Sequence, residues 1–260
     1  MILMNIENKS FIIAGYGLPA EIGMTVLFGL GVSPDNILLL THPVDERNSG
    51  LVSLALLRGV KLFDGCIKNP AVYKEITEFA PDYMFSLHYR NLIPGNILKL
   101  VEGGCVNLHP SLLPDYRGTN SVPWAIINDE NKTGYTFHYM SEEFDTGDIL
   151  LQEVIDITEN ETAFSLFNRQ IHKSMANFES IILKTISGEK GIPQRAGGSY
   201  YKRALPYNGY IDMTWPERKI DCFIRAMIFP PFPPAKLLIN NSEYNVFSYS
   251  DYLRIIRENN

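Results

Sequence analysis

Phe11-Ile12-Ile13-Ala14-Gly15-Tyr16-Gly17 decides the fold: a short apolar run stops at two glycines, with Pro19 and Glu21 just beyond. An apolar run without polar alternation reads as a strand buried on both faces. The glycines permit a turn after it, and proline followed by an acid suits a helix start, with Ile22, Val26 and Leu27 for one buried face. The unit then repeats. Ile37 to Leu40 reads as a strand, Leu51 to Leu57 as a helix, Val60 to Phe63 as a short strand and Pro70 to Phe79 as a helix. Tyr83 to Leu87 reads as the next strand and Pro94 to Val101 as helical, and Gly104-Cys105-Val106 leads directly into Asn107. Such alternation predicts an α/β domain with a mostly parallel central sheet, covered on both faces.

The pattern changes after residue 118. Gly134 to Met140 and Ile149 to Ile157 are strand-like, and Thr162 to Ser187 carries Phe164, Phe167, Ile171, Phe178 and Ile182 at helical spacing, closed by Gly188. One long helix is expected there. The remainder is richer in Pro, Tyr and Gly, with a short helix near Glu217 to Ile228 and strands near Leu237 and Val246. This predicts a main domain over 1–190 and a small α+β appendage over 191–260 for substrate binding and dimerisation.

Chemistry concentrates in Asn107-Leu108-His109-Pro110-Ser111-Leu112-Leu113-Pro114-Asp115-Tyr116-Arg117-Gly118 and, later, in Phe144-Asp145-Thr146-Gly147-Asp148. Asn107 and His109 are two apart, so on an extended segment they share a side. Pro110 and Pro114 stiffen the loop that follows. An amide donor, a titratable ring and an acid are the parts needed to pass an acyl group to a nitrogen. Taken singly, a histidine in a strand is an ordinary core residue and Asp145 to Asp148 an ordinary turn; their order and spacing carry the weight.

The bulk numbers describe an ordinary soluble globular protein: 260 residues, 45% hydrophobic and 20% charged. A net charge of −6 argues against a broad nucleic-acid surface. Three cysteines (Cys66, Cys105, Cys222) without CxxC spacing indicate reduced thiols in a cytoplasmic protein, and no metal site. Met1 to Asn8 lacks a signal-peptide profile, and no apolar run reaches the ~20 residues that span a bilayer.

The long motif and its Asp-Thr-Gly-Asp loop resemble the N10-formyltetrahydrofolate-dependent formyltransferases. The resemblance implies a Rossmann-like formyltransferase fold and catalysis by Asn107, His109 and Asp145 without a metal. It also implies folate contacts from His88, Tyr89, Arg90, Leu92 and Ile93 in one loop and from His138, Tyr139 and Glu142 in another. Within the family, the tail and the stretches Ser86 to Pro94, Ile211-Asp212 and Phe229 to Ala235 look like those of the sugar N-formyltransferases. That implies a dTDP-linked 3- or 4-amino-dideoxy hexose as acceptor, in O-antigen or related surface polysaccharide biosynthesis, and a homodimer. Tyr16, Arg117, Gly118, Tyr200, Tyr201, Lys202, Arg225, Phe229 and Phe232 are the candidate acceptor contacts, because a pyrophosphate needs cations and a base needs an aromatic wall.

Other readings have weaker support. Gly15-Tyr16-Gly17 with Ala20 fits the loose dinucleotide fingerprint, but the second strand ends Leu38-Leu39-Leu40-Thr41 without the acid that binds ribose, and Asp45 comes late. The glycines are read either as a plain turn or as room for a substrate phosphate. A methionyl-tRNA formyltransferase would carry a larger basic tail, and a glycinamide ribonucleotide enzyme almost none. A formyl-folate hydrolase, or a binding protein that kept the fold, is the alternative of another class.

Overall fold

The computed structural model describes residues 6–65 and 67–259; expectations touching Met1 to Asn5 and Cys66 lie outside the described residues. The chain begins β1 (Phe11–Gly15), α1 (Leu18–Gly29), β2 (Ile37–Leu40), α2 (Ser49–Arg58), β3 (Lys61–Phe63), α3 (Pro70–Phe79), β4 (Tyr83–Leu87), α4 (Gly95–Leu98), β5 (Cys105–His109). It continues β6 (Arg117–Gly118), α5 (Ser121–Ile127), β7 (Lys132–Tyr139), β8 (Ile149–Asp156), α6 (Ala163–Ala176) and α7 (Phe178–Ile186). The last elements are β9 (Tyr200–Tyr201), α8 (Glu217–Ala226), β10 (Ala235–Ile239), β11 (Ser242–Val246) and α9 (Tyr249–Asn259).

Seven strands form one sheet in the order β3-β2-β1-β4-β5-β7-β8. The first five in that order pair in parallel, and β7 runs antiparallel to β5. Side chains alternate across it. Ile12, Ala14, Leu38, Leu40, Met84 and Cys105 face a core completed by Val72, Ile76, Ile97 and Val101. Phe85 and Phe137 meet Phe178, at centroid distances of 5.2 and 6.2 Å. Because β1, β2, β4 and β5 run the same way, their C-terminal ends deliver Tyr16, His42, His88 and His109 to one edge of the sheet. The order reverses between β1 and β4, which makes the crevice beyond their ends the usual ligand position in open α/β sheets.

The expected single helix over Thr162 to Ser187 is two. Asn177 separates them with φ −94° and ψ −4°, and its amide donates to Ser174 O in an i−3 turn. Nor does packing divide the chain at residue 190. Among the described residues, one compact unit comprises 6–109, 136–152 and 172–194, and the other 110–135, 153–171 and 195–259. Cys105 and Cys222 are both free and buried. No helix among the described residues is long and apolar enough to cross a membrane.

Candidate active site

The first unit gathers all three residues of the expected triad. Asn107 and His109 lie on β5, whose register sets Asn107 opposite His138 and His109 opposite Thr136 on β7. The chain leaving β7 returns Asp145 to the same place: His109 Nδ1 is 3.6 Å from Asp145 Oδ2, and Asn107 Nδ2 is 3.5 Å from Oδ1. The side chains of His109 and Asp145 are largely buried, at 5% and 10% exposure, so once the ring takes a proton the pair interacts more strongly than it would in water. At 3.6 Å the His109–Asp145 contact is charge proximity rather than a hydrogen bond.

His138, expected in the folate set, holds Asn107. Its Nδ1 is 2.8 Å from Tyr139 O, and a carbonyl can only accept, so the proton sits on Nδ1. In the neutral ring Nε2 then accepts from Asn107 Nδ2, at 3.1 Å. This bond fixes which end of the amide faces the site. The remaining amide hydrogen, whose contact with Asp145 is at the limit of hydrogen bonding, is the one available to a substrate oxygen.

The loop carrying Asp145 is itself restrained. Asp145 has φ +55°, a left-handed conformation that costs a non-glycine residue about 1–2 kcal/mol. Gln194 Nε2 donates to the carbonyls of Asp145 and Gly147, at 2.9 and 2.8 Å. At Gly147 a side chain would put Cβ 1.9 Å from Tyr139 O, so the close return of the loop requires glycine. Glu142, another expected folate contact, pairs with Lys99 at 3.0 Å, and Tyr139 donates its hydroxyl to Glu189 O. Ile93 is packed in the core with Ile97 and Val101, so its side chain is structural, while Leu92 stays exposed.

A second cluster forms at the ends of β1, β2 and β4. The Arg90 guanidinium lies 3.7 Å from the centre of the Tyr16 ring and that of Arg47 lies 5.2 Å from it. The Tyr16 hydroxyl donates to Asp45, which also pairs with Arg47 at 3.3 Å. The Arg90 backbone amide donates to His42 Nε2 at 3.1 Å, and His42 packs on Tyr89. His88 has φ +63°; burial, then the charges of Arg90 and Arg47, push its ring down to about 4. Gly15 is structural, since a Cβ there would sit 2.4 Å from Ala20 Cβ. His42, Arg47 and the role of His138 were not legible beforehand; the only signal was their position just after a strand or opposite one.

The other expected acceptor residues belong to the second unit. Arg117 and Gly118 form β6, paired in parallel with Tyr200 and Tyr201 of β9. Gly118 has φ +89°, and a Cβ there would meet Tyr201 O at 2.3 Å. Tyr201 stacks between Tyr116 and Trp124, at 5.5 and 4.7 Å, while Tyr200, Lys202 and Phe232 are exposed. Arg225 is committed inside the unit: it donates to Asp221 and to Glu161 O, both at 2.8 Å. Phe229 packs on Phe164 and Phe167. Internal partners thus account for both side chains. Among the described residues no group of three His, Cys, Asp or Glu side chains is arranged to hold a metal ion.

A formyl transferase family model matches residues 64–182. The GDP-perosamine N-formyltransferase of Brucella melitensis biotype 1 is 51% identical over 250 residues, 96% of each chain. A crystal structure of the N-formyltransferase from Helicobacter canadensis, in complex with folinic acid and dTDP-3-aminofucose, superposes with a TM-score of 0.77 at 22% identity, covering 92% of this chain and 87% of that one. A sugar N-formyltransferase from Shewanella sp. FDAARGOS_354 superposes with a TM-score of 0.75 at 20% identity, covering 92% and 96%. These two likenesses concern the fold.

Proposed function

This chain belongs to the formyl transferase family, and from that premise we propose that it moves a formyl group from N10-formyltetrahydrofolate to the amine of a nucleotide-linked amino sugar. The convergence of Asn107, His109 and Asp145 on one sheet edge carries the reading. The neutral amine attacks the formyl carbon and a tetrahedral oxyanion forms. Asn107 Nδ2–H donates to that oxygen, a contact worth roughly 3 kcal/mol in comparable sites. With the Nδ1 proton directed at Asp145, His109 Nε2 takes the amine proton, and Asp145 stabilises the resulting imidazolium. The proton then goes to the folate nitrogen as the C–N bond breaks. The backbones of the 86–94 and 138–145 segments are the proposed folate contacts, the His138 ring being engaged by Asn107.

For the nucleotide, the Brucella relative favours GDP over the dTDP expected from the motif resemblance. We place the product in surface polysaccharide synthesis and the enzyme in the cytoplasm. Of the tail residues, Tyr200, Lys202 and Phe232 keep exposed side chains for acceptor contact. The β10–β11 hairpin leaves Leu238 and Phe247 more than half exposed, and we propose that residues beyond about 190 form a homodimer. Sedimentation at micromolar concentration should give twice the mass of one chain; a monomer would refute the dimer. Asn107→Ala and His109→Ala should each lose at least a hundredfold in transfer while staying folded. Activity within tenfold of the parent, about 1.4 kcal/mol in barrier terms, would remove that residue from the mechanism.

A further inference from the structure

We propose that Arg90 and Arg47, gathered over the Tyr16 ring, form the diphosphate-binding site for the nucleotide part of the acceptor. The proposal rests on the nucleotide-sugar reading and assigns the Arg90 side chain to the acceptor instead of the folate. Three observations carry it. First, two guanidiniums share one ring and one nearby carboxylate, so the cluster of Arg47, Arg90 and Asp45 carries net positive charge. Among the described residues Arg90 forms no ion pair, although burial works against its charge. Its only nearby counter-charge among the described residues is Asp45, which Arg47 and the Tyr16 hydroxyl also share, so one carboxylate faces two partly desolvated guanidiniums and an added anion would complete them. Arg47 does have Asp45, but that carboxylate also accepts the Tyr16 hydroxyl.

Second, the cluster stands at the reversal of strand order between β1 and β4, joined by Tyr16 N donating to Leu87 O at 3.2 Å. Third, α1 starts there. Its N-cap is Gly17, at φ +65°, and no side chain caps the helix. The positive end of a twelve-residue helix together with two guanidiniums suits a diphosphate.

Folate offers a competing anion, the carboxylates of its glutamate, so the test measures both. Binding of GDP, inorganic pyrophosphate and folinic acid is titrated calorimetrically against the parent, Arg90→Met and Arg47→Gln, with circular dichroism to check folding. GDP and pyrophosphate should weaken tenfold or more in each variant, the scale of a charge-assisted bond, and folinic acid should stay within twofold. Arg47 is partly exposed, so Arg47→Gln keeps the test usable if Arg90→Met fails to fold. Folinic acid weakening with GDP unchanged would give the cluster to the folate and overturn the proposal. So would no change in any ligand. If GDP binds through these arginines but no nucleotide amino sugar is formylated, the acceptor reading fails while the diphosphate site stands.

Discussion

Replacing His138 by leucine removes the acceptor that orients Asn107 while keeping an apolar side chain of similar bulk in a buried position. The lost bond is a neutral one at 3.1 Å, worth about 0.5–1.5 kcal/mol, so kcat should fall by roughly three- to tenfold. Removing Asn107 itself should cost about 3 kcal/mol, or more than a hundredfold. If His138 acts only through Asn107, the Asn107→Ala/His138→Leu double variant should be no slower than Asn107→Ala alone, within twofold. The assay is steady-state release of tetrahydrofolate with both substrates varied, because loss of orientation should lower kcat and leave both KM values in place. His138→Gln, which can return a carbonyl acceptor, should recover most of the rate. Independent, multiplicative losses in the double variant would refute the reasoning, as would a glutamine variant no better than leucine.

Three further outcomes follow from the packing. Arg225→Ala should lower the unfolding free energy by about 1–3 kcal/mol, because Asp221 and the Glu161 carbonyl lose their partner, and should leave both KM values unchanged; a raised acceptor KM would restore it as a substrate contact. His88 is held near 4 against an ordinary 6.5, so the folded state resists its protonation. That contribution is complete above about pH 6.5 and is lost as pH falls toward 4, by at most about 3 kcal/mol, less for its partial exposure; urea unfolding of His88→Gln at pH 7 and 4.5 should show a weaker pH dependence than the parent, and an identical one would contradict the assignment. Gln194→Ala should reduce kcat about tenfold by releasing the Asp145 loop, with a melting temperature change of only a few degrees; unchanged kcat would mean that the loop holds its shape unaided.

Much of the fold was legible because the strands carry their own signal. Tyr83–Leu87 and Ile37–Leu40 are apolar runs bounded by turn residues, and Pro70 marks the start of α3. The break at Asn177 was not legible, since Ile171 and Phe178, seven apart, keep helical spacing across it. The terminal helix α9 buries only Tyr252 and Ile255, too sparse a pattern to stand out from a loop. In the site, Asn107 and His109 were paired correctly because a strand's period of two is local. The bond from His138 to Asn107 depends on the register of β5 against β7, across 31 residues of chain, and nothing local encodes it. Arg47 likewise looks like a solvated loop charge until β1, β2 and β4 bring their ends together.

The most direct measurement incubates the protein with N10-formyltetrahydrofolate and, in turn, GDP-perosamine, a dTDP-linked 3-amino sugar, a dTDP-linked 4-amino sugar and no acceptor, following tetrahydrofolate, N-formyl sugar and free formate together. The account predicts tetrahydrofolate and N-formyl sugar in equal amounts with a nucleotide amino sugar, fastest with the GDP-linked one, and loss of both with His109→Ala. Formate released at the same rate without any acceptor, and no N-formyl sugar from any of the three, would contradict it and make the chain a formyl-folate hydrolase.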